Sequence, residues 1–320
     1  MQLPPELAQA IEGFVAEIPS SSLARAASDL SMVYREREKE RPQLDAAHRA
    51  AYLITRMPAT YAVLSRVLRE ARLRLPQLRI ESMLDLGAGP GTAMWAAAAE
   101  FPEMSRVISV EDSREWIDVG KKLALQASSA AIRSSDWRQG GVTDPKPDEC
   151  FDLVTISYVM NELRTSDRAT VAREAWRSTG KLLIMIEPGT PMGFASLREL
   201  RTGLLSAGAH MVAPCPHGST CPIMGEDWCH FSQRLPRSAQ HRLAKQGELG
   251  YEDEKYAYLI LAREPVTLPH TRILRHPQRH SGHIELELCT GEGLKRETVS
   301  RKHGQRYRDV KKAEWGDTIP

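Results

Sequence analysis

Three of the chain's five cysteines lie within one short stretch, VAPCPHGSTCPIMGEDWCHF, at residues 212–231. Cys215, Cys221 and Cys229 have the spacing C-x5-C-x7-C, which differs from the C-x2-C pairs of zinc ribbons and from the run typical of ferredoxins. The stretch contains Pro and Gly and has little core-forming character. Three soft thiolates in such a segment predict metal binding or redox chemistry rather than a disulfide framework.

The spacing alone leaves the fourth metal ligand open. His217 and His230 lie inside the same stretch, and either one would complete a Cys3His zinc site. Cys289, which ends the segment HIELELC, is the distant alternative, because loops and strand ends from different parts of a fold can converge on one metal. The fifth cysteine, Cys150 in DECFDLV, precedes a predicted sheet strand and is expected to be a small buried residue.

A second group of residues with chemical meaning is the glycine-rich segment LDLGAGPGT, which holds Asp85, Gly87, Gly89 and Gly91. Glycines at this spacing let the backbone pass close to a ligand, since glycine has no Cβ and tolerates positive φ. A dinucleotide-binding Rossmann turn would need G-x-G-x-x-G, but here the third glycine comes one residue early and an acid precedes the first. Both departures resemble the motif of class I S-adenosylmethionine-dependent methyltransferases, and the resemblance implies that Asp85 and the turn hold the methionine part of that cofactor.

Acidic and aromatic residues further along the chain fit the same hypothesis. Glu111 ends RVISVEDS, about twenty residues after the turn, where a carboxylate can accept hydrogen bonds from both ribose hydroxyls, with Asp112 as the fallback. In RSSDWRQ, Asp136 is the candidate to bind the adenine amino group and Trp137 the candidate to stack on the ring. Trp137 is equally well explained as a core aromatic residue.

The sequence does not identify a catalytic residue. Methyltransferases that modify exocyclic base amines carry D/N-P-P-Y/F after the fourth strand, whereas this chain has SYVMNEL, with Asn161 and Glu162 but without the two prolines. Glu162 is a candidate general base, although an exposed carboxylate at a strand end usually has no chemical role. The pair Pro214–Cys215 matches the nucleophile of five-methylcytosine enzymes in letters only, because it falls within the cysteine stretch.

The elements that would position these residues are a helical N-terminal domain and an alternating α/β domain. Residues 1–79 have apolar residues at helical spacing, with a helix that begins near Ser20–Ser22 and a break at RMPAT. Residues 80–265 alternate continuous apolar strands with helices, which predicts a Rossmann-like class I methyltransferase sheet that is parallel and covered on both faces. The cysteine-rich segment, about 208–248, is an insertion in this sheet, and residues 266–320 form a small C-terminal β extension with a basic tail.

Composition, hydropathy and charge indicate which compartment and which partners to expect. A hydrophobic fraction of 42% and a charged fraction of 26% are ordinary for a soluble globular protein, and no apolar run approaches a membrane span. The N-terminus has neither a signal peptide nor a transit pattern, so we expect a cytoplasmic protein. The formal net charge is only +2, but basic residues are concentrated near the C-terminus, where they suit phosphate contacts or a solvated face: Lys295, Arg296, Arg301, Lys302, Arg306, Arg308, Lys311 and Lys312.

Several longer segments carry a more specific resemblance. YLITRMPATYAVL, LDLGAGPGT, IEPGTPMGF, PCPHGSTCPIMGEDWCHFSQR and LCTGEGLKRETVSRKHGQRYRDVKKAEWGD resemble the methyltransferase-like family of the mitochondrial small ribosomal subunit and its bacterial relatives, from about residue 50 to the C-terminus. The resemblance implies a [4Fe–4S] cluster held by four cysteines, here Cys215, Cys221, Cys229 and Cys289. It also implies association with the small ribosomal subunit and its rRNA, in assembly or translation.

Three functional hypotheses follow. The first is an S-adenosylmethionine-binding, ribosome-associated protein that acts as an rRNA methyltransferase. The second is an assembly factor without catalysis that keeps the fold as a scaffold for RNA, which the absent amine-methylation motif favours. The third is a methyltransferase of another substrate with a structural zinc in place of the cluster.

Overall fold

The computed structural model describes residues 2–35, 44–145, 147–245 and 249–319. Within these residues, eight strands form one sheet in the order β3-β2-β1-β4-β5-β8-β6, and β7 also pairs with β8. The strands are β1 (Ser82–Leu86), β2 (Arg106–Glu111), β3 (Asp136–Gln139), β4 (Phe151–Ser157), β5 (Thr179–Pro188), β6 (His210–Ala213), β7 (Phe231–Pro236) and β8 (Tyr251–Ala262). Strands β1 to β5 are parallel, and β8 runs antiparallel to β5. This is the Rossmann-like α/β sheet of class I methyltransferases.

The parallel strands are continuous apolar runs because helices cover both faces of the sheet. Alternate residues of one strand enter different cores: Met83 packs with the N-terminal helices, whereas Leu84 and Leu86 pack with the helices of the opposite face. The helices that alternate with the strands are α5 (Thr92–Glu100), α6 (Arg114–Ala124), α7 (Ala130–Arg133), α8 (Thr165–Arg177), α9 (Pro191–Ser206) and α10 (Ala239–Lys245).

Four helices precede the sheet and share one apolar core with it: α1 (Pro5–Val15), α2 (Ser20–Arg35), α3 (Ala46–Thr55) and α4 (Met57–Arg74). The predicted helix at Ser20–Ser22 is α2, and the last residues expected for it, 36–38, lie outside the described residues. The predicted break falls at Arg56, and Pro58 occupies the first turn of α4, where a missing N–H leaves no helical bond unmade. None of the helices that the structure describes is both long and apolar enough to cross a membrane.

The cysteine-rich segment leaves and rejoins the same edge of the sheet. β6 pairs with the C-terminal part of β8, and β7 pairs with its N-terminal part in the same antiparallel sense. Residues 214–230, called the excursion below, therefore form a loop that connects two strands, β6 and β7, which pair with different parts of the same strand, β8. This excursion has no helix or strand of its own.

A second, antiparallel sheet follows β8 and is built on the strand that carries Cys289. Its strands are β9 (Thr271–Ile273), β10 (Gln278–Arg279), β11 (His283–Thr290) and β12 (Gly293–Ser300), with β11 paired to the other three. Ile284, Leu286 and Leu288 of β11 pack into a separate small core together with helix α11 (Gln305–Val310). The domain boundaries placed at residues 79 and 265 stay a prediction.

Candidate cofactor site and four-thiol site

The glycine turn between β1 and α5 has the backbone conformation that its sequence predicts. Gly87, Gly89 and Gly91 have φ angles of +74°, +54° and +84°, a region that residues with a Cβ rarely adopt. The N–H groups of Gly87 and Ala88 both donate to the carbonyl oxygen of Val110, at 2.9 and 3.0 Å. These bonds tie the turn to the end of β2 and leave a compact loop at the carboxyl edge of the parallel strands.

Glu111, the last residue of β2, reaches this turn. Its Oε2 accepts a hydrogen bond from Gly89 N–H at 2.8 Å, and its Oε1 accepts one from Ser113 N–H at 3.0 Å. Burial, helped by the neighbouring carboxyl of Asp112, raises the pKa of Glu111 to about 7. Asp112 itself is exposed. The side chain of Glu111 is thus the better placed of the two to act at the turn.

Asp85 is buried one residue before the end of β1. Its Oδ1 accepts a hydrogen bond from the Thr155 hydroxyl at 2.6 Å, and its Oδ2 has no hydrogen-bond partner among the described residues. Burial raises the pKa of Asp85 to about 7, because the Thr155 bond compensates only part of the lost hydration. A buried carboxylate oxygen without a partner marks a position where a donor from outside the chain would be stabilised.

A third buried carboxyl, which the sequence reasoning missed, lies near the end of β5. Glu187 accepts a hydrogen bond from Met160 N–H at 2.8 Å through Oε1, its Oε2 has no partner within the described chain, and burial raises its pKa to about 7. The side-chain amide of Asn161 is also buried and without a hydrogen-bond partner there. Next to them, Tyr158 has a φ of +62°, an uncommon conformation for a residue with a bulky side chain.

Asp85, Glu111 and Glu187 are the last or next-to-last residues of three parallel strands, so they lie along one edge of the sheet. Each is buried, and burial raises the pKa of each to about 7. A ligand with positive charge would favour their ionised forms. S-adenosylmethionine carries a sulfonium and an ammonium group, so this donor set fits it chemically.

The two residues assigned to the adenine ring lie at different places. Trp137 packs between the glycine turn and α6: a Cβ on Gly91 would lie 3.1 Å from its ring, and a Cβ on Gly120 would lie 2.1 Å from it. Asp136 is the first residue of β3, is exposed, and forms an ion pair with Arg138 at 2.8 Å. Glu111 pairs with Gln139, three residues further on, so the structure does not bring Asp136 to the carboxyl edge.

The two candidate catalytic residues, Glu162 and Cys215, lie in different parts of the structure. Glu162 is exposed in a 3-10 helix, Met160–Glu162, that follows β4. Cys215, the candidate nucleophile, lies with the other cysteines of the excursion rather than at the glycine turn. Cys150, which we expected to be buried, is exposed and its thiol lies 3.5 Å from the carbonyl oxygen of Arg177. That expectation was wrong because Cys150 precedes β4 and stays outside the sheet.

The four remaining cysteines converge, although four complete strands, β7 to β10, and helix α10 separate Cys289 from the other three in the sequence. Cys215, Cys221, Cys229 and Cys289 line one small cavity of about 40 Å³. Burial, and the neighbouring thiols of the other three cysteines, hold the pKa of the Cys229 thiol well above its usual range. Burial and the thiols of Cys215 and Cys221 likewise raise the pKa of Cys289 to about 12. Four thiols this close would ionise together only with a cation among them.

Buried arginines hold the backbone of the excursion around this cavity. Arg201 of α9 donates to the carbonyl oxygen of His217 at 2.8 Å, and Arg272 of β9 donates to that of Pro214 at 2.8 Å. Both guanidinium groups are almost fully buried and lower the pKa of Cys289, against the larger effect of burial. Trp228 fixes the other end of the excursion by donating its indole N–H to the carbonyl oxygen of Gly189 at 3.0 Å.

The spacing of the thiols bears on the kind of metal group that suits them. A tetrahedral zinc ion with Zn–S bonds of about 2.3 Å holds its sulfurs about 3.8 Å apart. Across the described chain, no three of the four thiols or the two nearby imidazoles have ligand atoms all within 4.8 Å of one another. His217 Nε2 lies 3.5 Å from the Cys289 thiol, whereas His230 stacks on Trp228 and meets Trp315 edge-on. The thiols are therefore more widely spaced than a zinc site requires.

Basic residues near the C-terminus form an exposed strip, and acidic neighbours pair with several of them. Arg296 pairs with Glu287 of the neighbouring strand at 3.3 Å, and Glu297 pairs with both Lys295 and Arg306. The side chains of Lys302, Lys311 and Lys312, among others, are exposed. These exposed residues keep the strip available for phosphates, with part of its charge offset.

Curated proteins with similar sequences include two mitochondrial proteins. The chain is 29% identical to the human ribosome assembly protein METTL17, mitochondrial, over 84% of its own length and 62% of that protein. It is 25% identical to Rsm22-cox11 tandem protein 2, mitochondrial, of Schizosaccharomyces pombe, over 97% of its own length and 48% of that protein. The chain thus spans about half to three-fifths of these relatives.

The similarity to solved structures is weak. Magnesium protoporphyrin IX methyltransferase of Synechocystis is 10% identical, with a TM-score of 0.43 over 74% of this chain and 94% of that one. A family model described as mitochondrial small ribosomal subunit Rsm22 matches residues 46–320. The chain belongs to the Rsm22 family of the mitochondrial small ribosomal subunit.

Proposed function

We propose that the chain binds S-adenosylmethionine at the glycine turn, holds a [4Fe–4S] cluster between four cysteines, and acts on the small ribosomal subunit as an rRNA methyltransferase. The observation that carries the proposal is the row of three buried carboxyls beside the glycine turn, two of them with an oxygen that has no partner in the described chain. A scaffold that only bound RNA would gain nothing from buried carboxyls, which weaken the fold when ionised.

Asp85, Gly87, Gly89, Gly91 and Glu111 would hold the cofactor. The glycines leave space for it, Glu111 accepts hydrogen bonds from its ribose, and Asp85 offers the unpartnered Oδ2 to its methionine part. The cofactor supplies an electrophilic methyl group. We also propose that Trp137 and Asp136 contact the adenine ring at the β3 side of the site, where Gln139 is the residue that pairs with Glu111.

Cys215, Cys221, Cys229 and Cys289 would hold the cluster, whose four irons each take one thiolate. The wide spacing of the thiols supports this choice over zinc, because no three of them have sulfurs all within 4.8 Å of one another in the described chain. Buried Arg201 and Arg272 would offset the negative charge of either group. A fully ligated cluster is structural or redox-sensing: it would fasten the excursion to β11 and so fix the C-terminal extension against the cofactor domain.

The exposed basic strip of the C-terminal extension would contact rRNA phosphates. The family description and the name of the human relative both concern the small ribosomal subunit or ribosome assembly, which supports this partner. We retain the cytoplasm as the proposed compartment, although the names of the relatives place them in mitochondria.

A second candidate function is an assembly factor that binds the cofactor without transferring its methyl group. One observation favours it: the chain after β4 reads SYVMNEL and forms a 3-10 helix with an exposed Glu162, in place of a D/N-P-P-Y/F motif. In that case the cofactor would stabilise the fold by mass action.

Both candidates are tested by deleting the gene and complementing it with the wild-type chain or with Glu111→Ala. Small subunits are separated by sedimentation, and rRNA methylation is mapped in each strain. We expect the deletion to lose one methylation and to accumulate immature subunits, and Glu111→Ala to leave the methylation absent. If the deletion strain keeps an unchanged methylation map but accumulates immature subunits that the wild-type chain rescues, the assembly factor is supported. If the deletion strain has both normal subunits and normal methylation, both candidates are refuted.

A further inference from the structure

A second group of metal-binding side chains lies at the turn between β10 and β11, away from the four thiols. The group consists of His280, His283 and Glu285, whose ligand atoms all lie within 4.8 Å of one another. Among the residues that the structure describes, no other three His, Cys, Asp or Glu side chains come this close together. They occupy the segment RHSGHIE, which neither the family description nor the proposed function involves.

The distances in this group suit a shared metal ion better than a direct contact. Nε2 of His283 and Nε2 of His280 lie 3.5 and 3.9 Å from the same oxygen, Oε1 of Glu285. Both separations exceed the range of a hydrogen bond, which ends at about 3.2 Å. Ligands bound at 2.0–2.2 Å to one divalent ion lie about 3.0 to 3.5 Å apart, so small side-chain rotations would complete the coordination.

The backbone holds the three side chains on one face of a tight turn. His280 N–H donates to the carbonyl oxygen of His283 at 2.9 Å, and Gly282, with a φ of +118°, donates back to that of His280 at 2.8 Å. The two imidazole rings consequently stack, with centroids 4.5 Å apart and planes 14° apart. Because Ile284 is buried beneath the sheet, its neighbours His283 and Glu285 face solvent on the other side.

Arg279, the basic residue next to His280, binds groups outside the proposed site. The guanidinium group of Arg279 donates to the carbonyl oxygen of Ala313 at 2.6 Å and pairs with Glu314 at 3.0 Å. His303, the other histidine close to the turn, accepts a hydrogen bond from Ser300 N–H at 3.0 Å. The two imidazoles and Glu285 therefore have no competing partner from these groups.

The geometry points to a surface site for a divalent first-row transition ion, such as Zn²⁺, bound by His280, His283 and Glu285. Imidazole nitrogens suit ions of borderline softness, and two histidines with one carboxylate leave coordination positions open. The side chains are 39–49% exposed, so water would fill those positions. The site is independent of the proposed cluster and cofactor.

The test is equilibrium dialysis of the full-length protein, with its four-thiol site already loaded, against Zn²⁺, followed by metal analysis. We expect the wild-type chain to bind one more Zn²⁺ per chain than His280→Ala, His283→Ala or Glu285→Gln. Each substitution should weaken that binding by at least about tenfold, since even outer-shell changes cost 10–100-fold. His270→Ala, at an exposed histidine of the same extension, should bind as the wild type does.

Titration with Co²⁺ separates the two metal sites, because only thiolate ligands give intense charge-transfer absorption. Cobalt that binds to the wild type without such absorption, and does not bind to His283→Ala, would confirm the site. Equal metal content in the wild type and all three variants would overturn it. The histidine-dependent cobalt should stay bound in Cys289→Ser, and its loss there would overturn the independence of the two sites.

Discussion

The buried carboxyl of Asp85 makes a quantitative prediction about stability. Burial raises its pKa from the ordinary 3.8 to about 7, so the folded chain binds a proton more tightly than the unfolded chain. Between these two values the folded state holds more protons, and the stability that Asp85 contributes is lost as pH rises. Asp85→Asn removes this titration and keeps an oxygen that can accept the Thr155 hydrogen bond.

The magnitude follows from the two pKa values. At 1.36 kcal/mol per pKa unit, the difference between the folded and unfolded pKa of Asp85 lowers the free energy of unfolding by about 2 kcal/mol at pH 5.5 and by about 4 kcal/mol at pH 8.5. The new amide N–H group lacks a partner at the position of Oδ2, which costs about 1–3 kcal/mol at either pH. The informative quantity is therefore the difference in free energy of unfolding between Asp85→Asn and the wild type, compared at the two pH values. This difference should shift by about 2 kcal/mol in favour of Asp85→Asn between pH 5.5 and 8.5.

The assay is urea denaturation of both proteins, without added cofactor, at the two pH values. Asp118→Asn, on the exposed surface of α6, is the matched control and should change the free energy of unfolding by less than about 0.5 kcal/mol at each pH. A difference between Asp85→Asn and the wild type that is the same at pH 5.5 and 8.5 would refute the reasoning. It would mean that Asp85 does not titrate between these values in the folded chain.

The remaining predictions concern the cofactor turn and the thiols. Glu111→Ala should lower the affinity for S-adenosylmethionine by at least about tenfold in calorimetry, since hydrogen bonds to a charged group contribute about 1.5–3 kcal/mol; an unchanged affinity would exclude the ribose assignment. Cys289→Ser should bleach the cluster absorption of anaerobically purified protein, whereas Cys150→Ser should not; a normal spectrum in Cys289→Ser would remove it from the ligand set. Gly120→Ala should lower the free energy of unfolding by about 1–3 kcal/mol, because its Cβ would lie 2.1 Å from an indole ring. Gly203→Ala, in a helix with open space around it, should instead raise that free energy by about 0.5–1 kcal/mol, and equal effects would contradict the packing described.

Much of the cofactor edge could be predicted from the sequence because its signals are local. The glycines of LDLGAGPGT and Glu111 at the end of RVISVE each follow a largely apolar run, and such runs mark parallel strands. Glu187 ends a similar run in LLIMIEPG, so the same signal, an acid closing a buried strand, identifies it once applied to β5. Asp136 shows the limit of this signal: no local marker tells which end of a four-residue strand a residue occupies, and Asp136 proves to lie at the start of β3.

The four-thiol site depended on information that local patterns do not contain. Spacing within the excursion left His217, His230 and Cys289 open as the fourth ligand. Only tertiary pairing brings Cys289 to the cavity, through β11 and the contacts of β9 with the excursion. The same pairing explains why part of the basic strip is offset: Glu287 faces Arg296 across two strands that the chain connects by a turn.

The most direct test of the central claim is chemical analysis of the full-length protein purified without oxygen. We expect brown protein with iron and acid-labile sulfide in equal amounts, about four of each per chain. Colourless protein with one zinc ion and no sulfide per chain would contradict it.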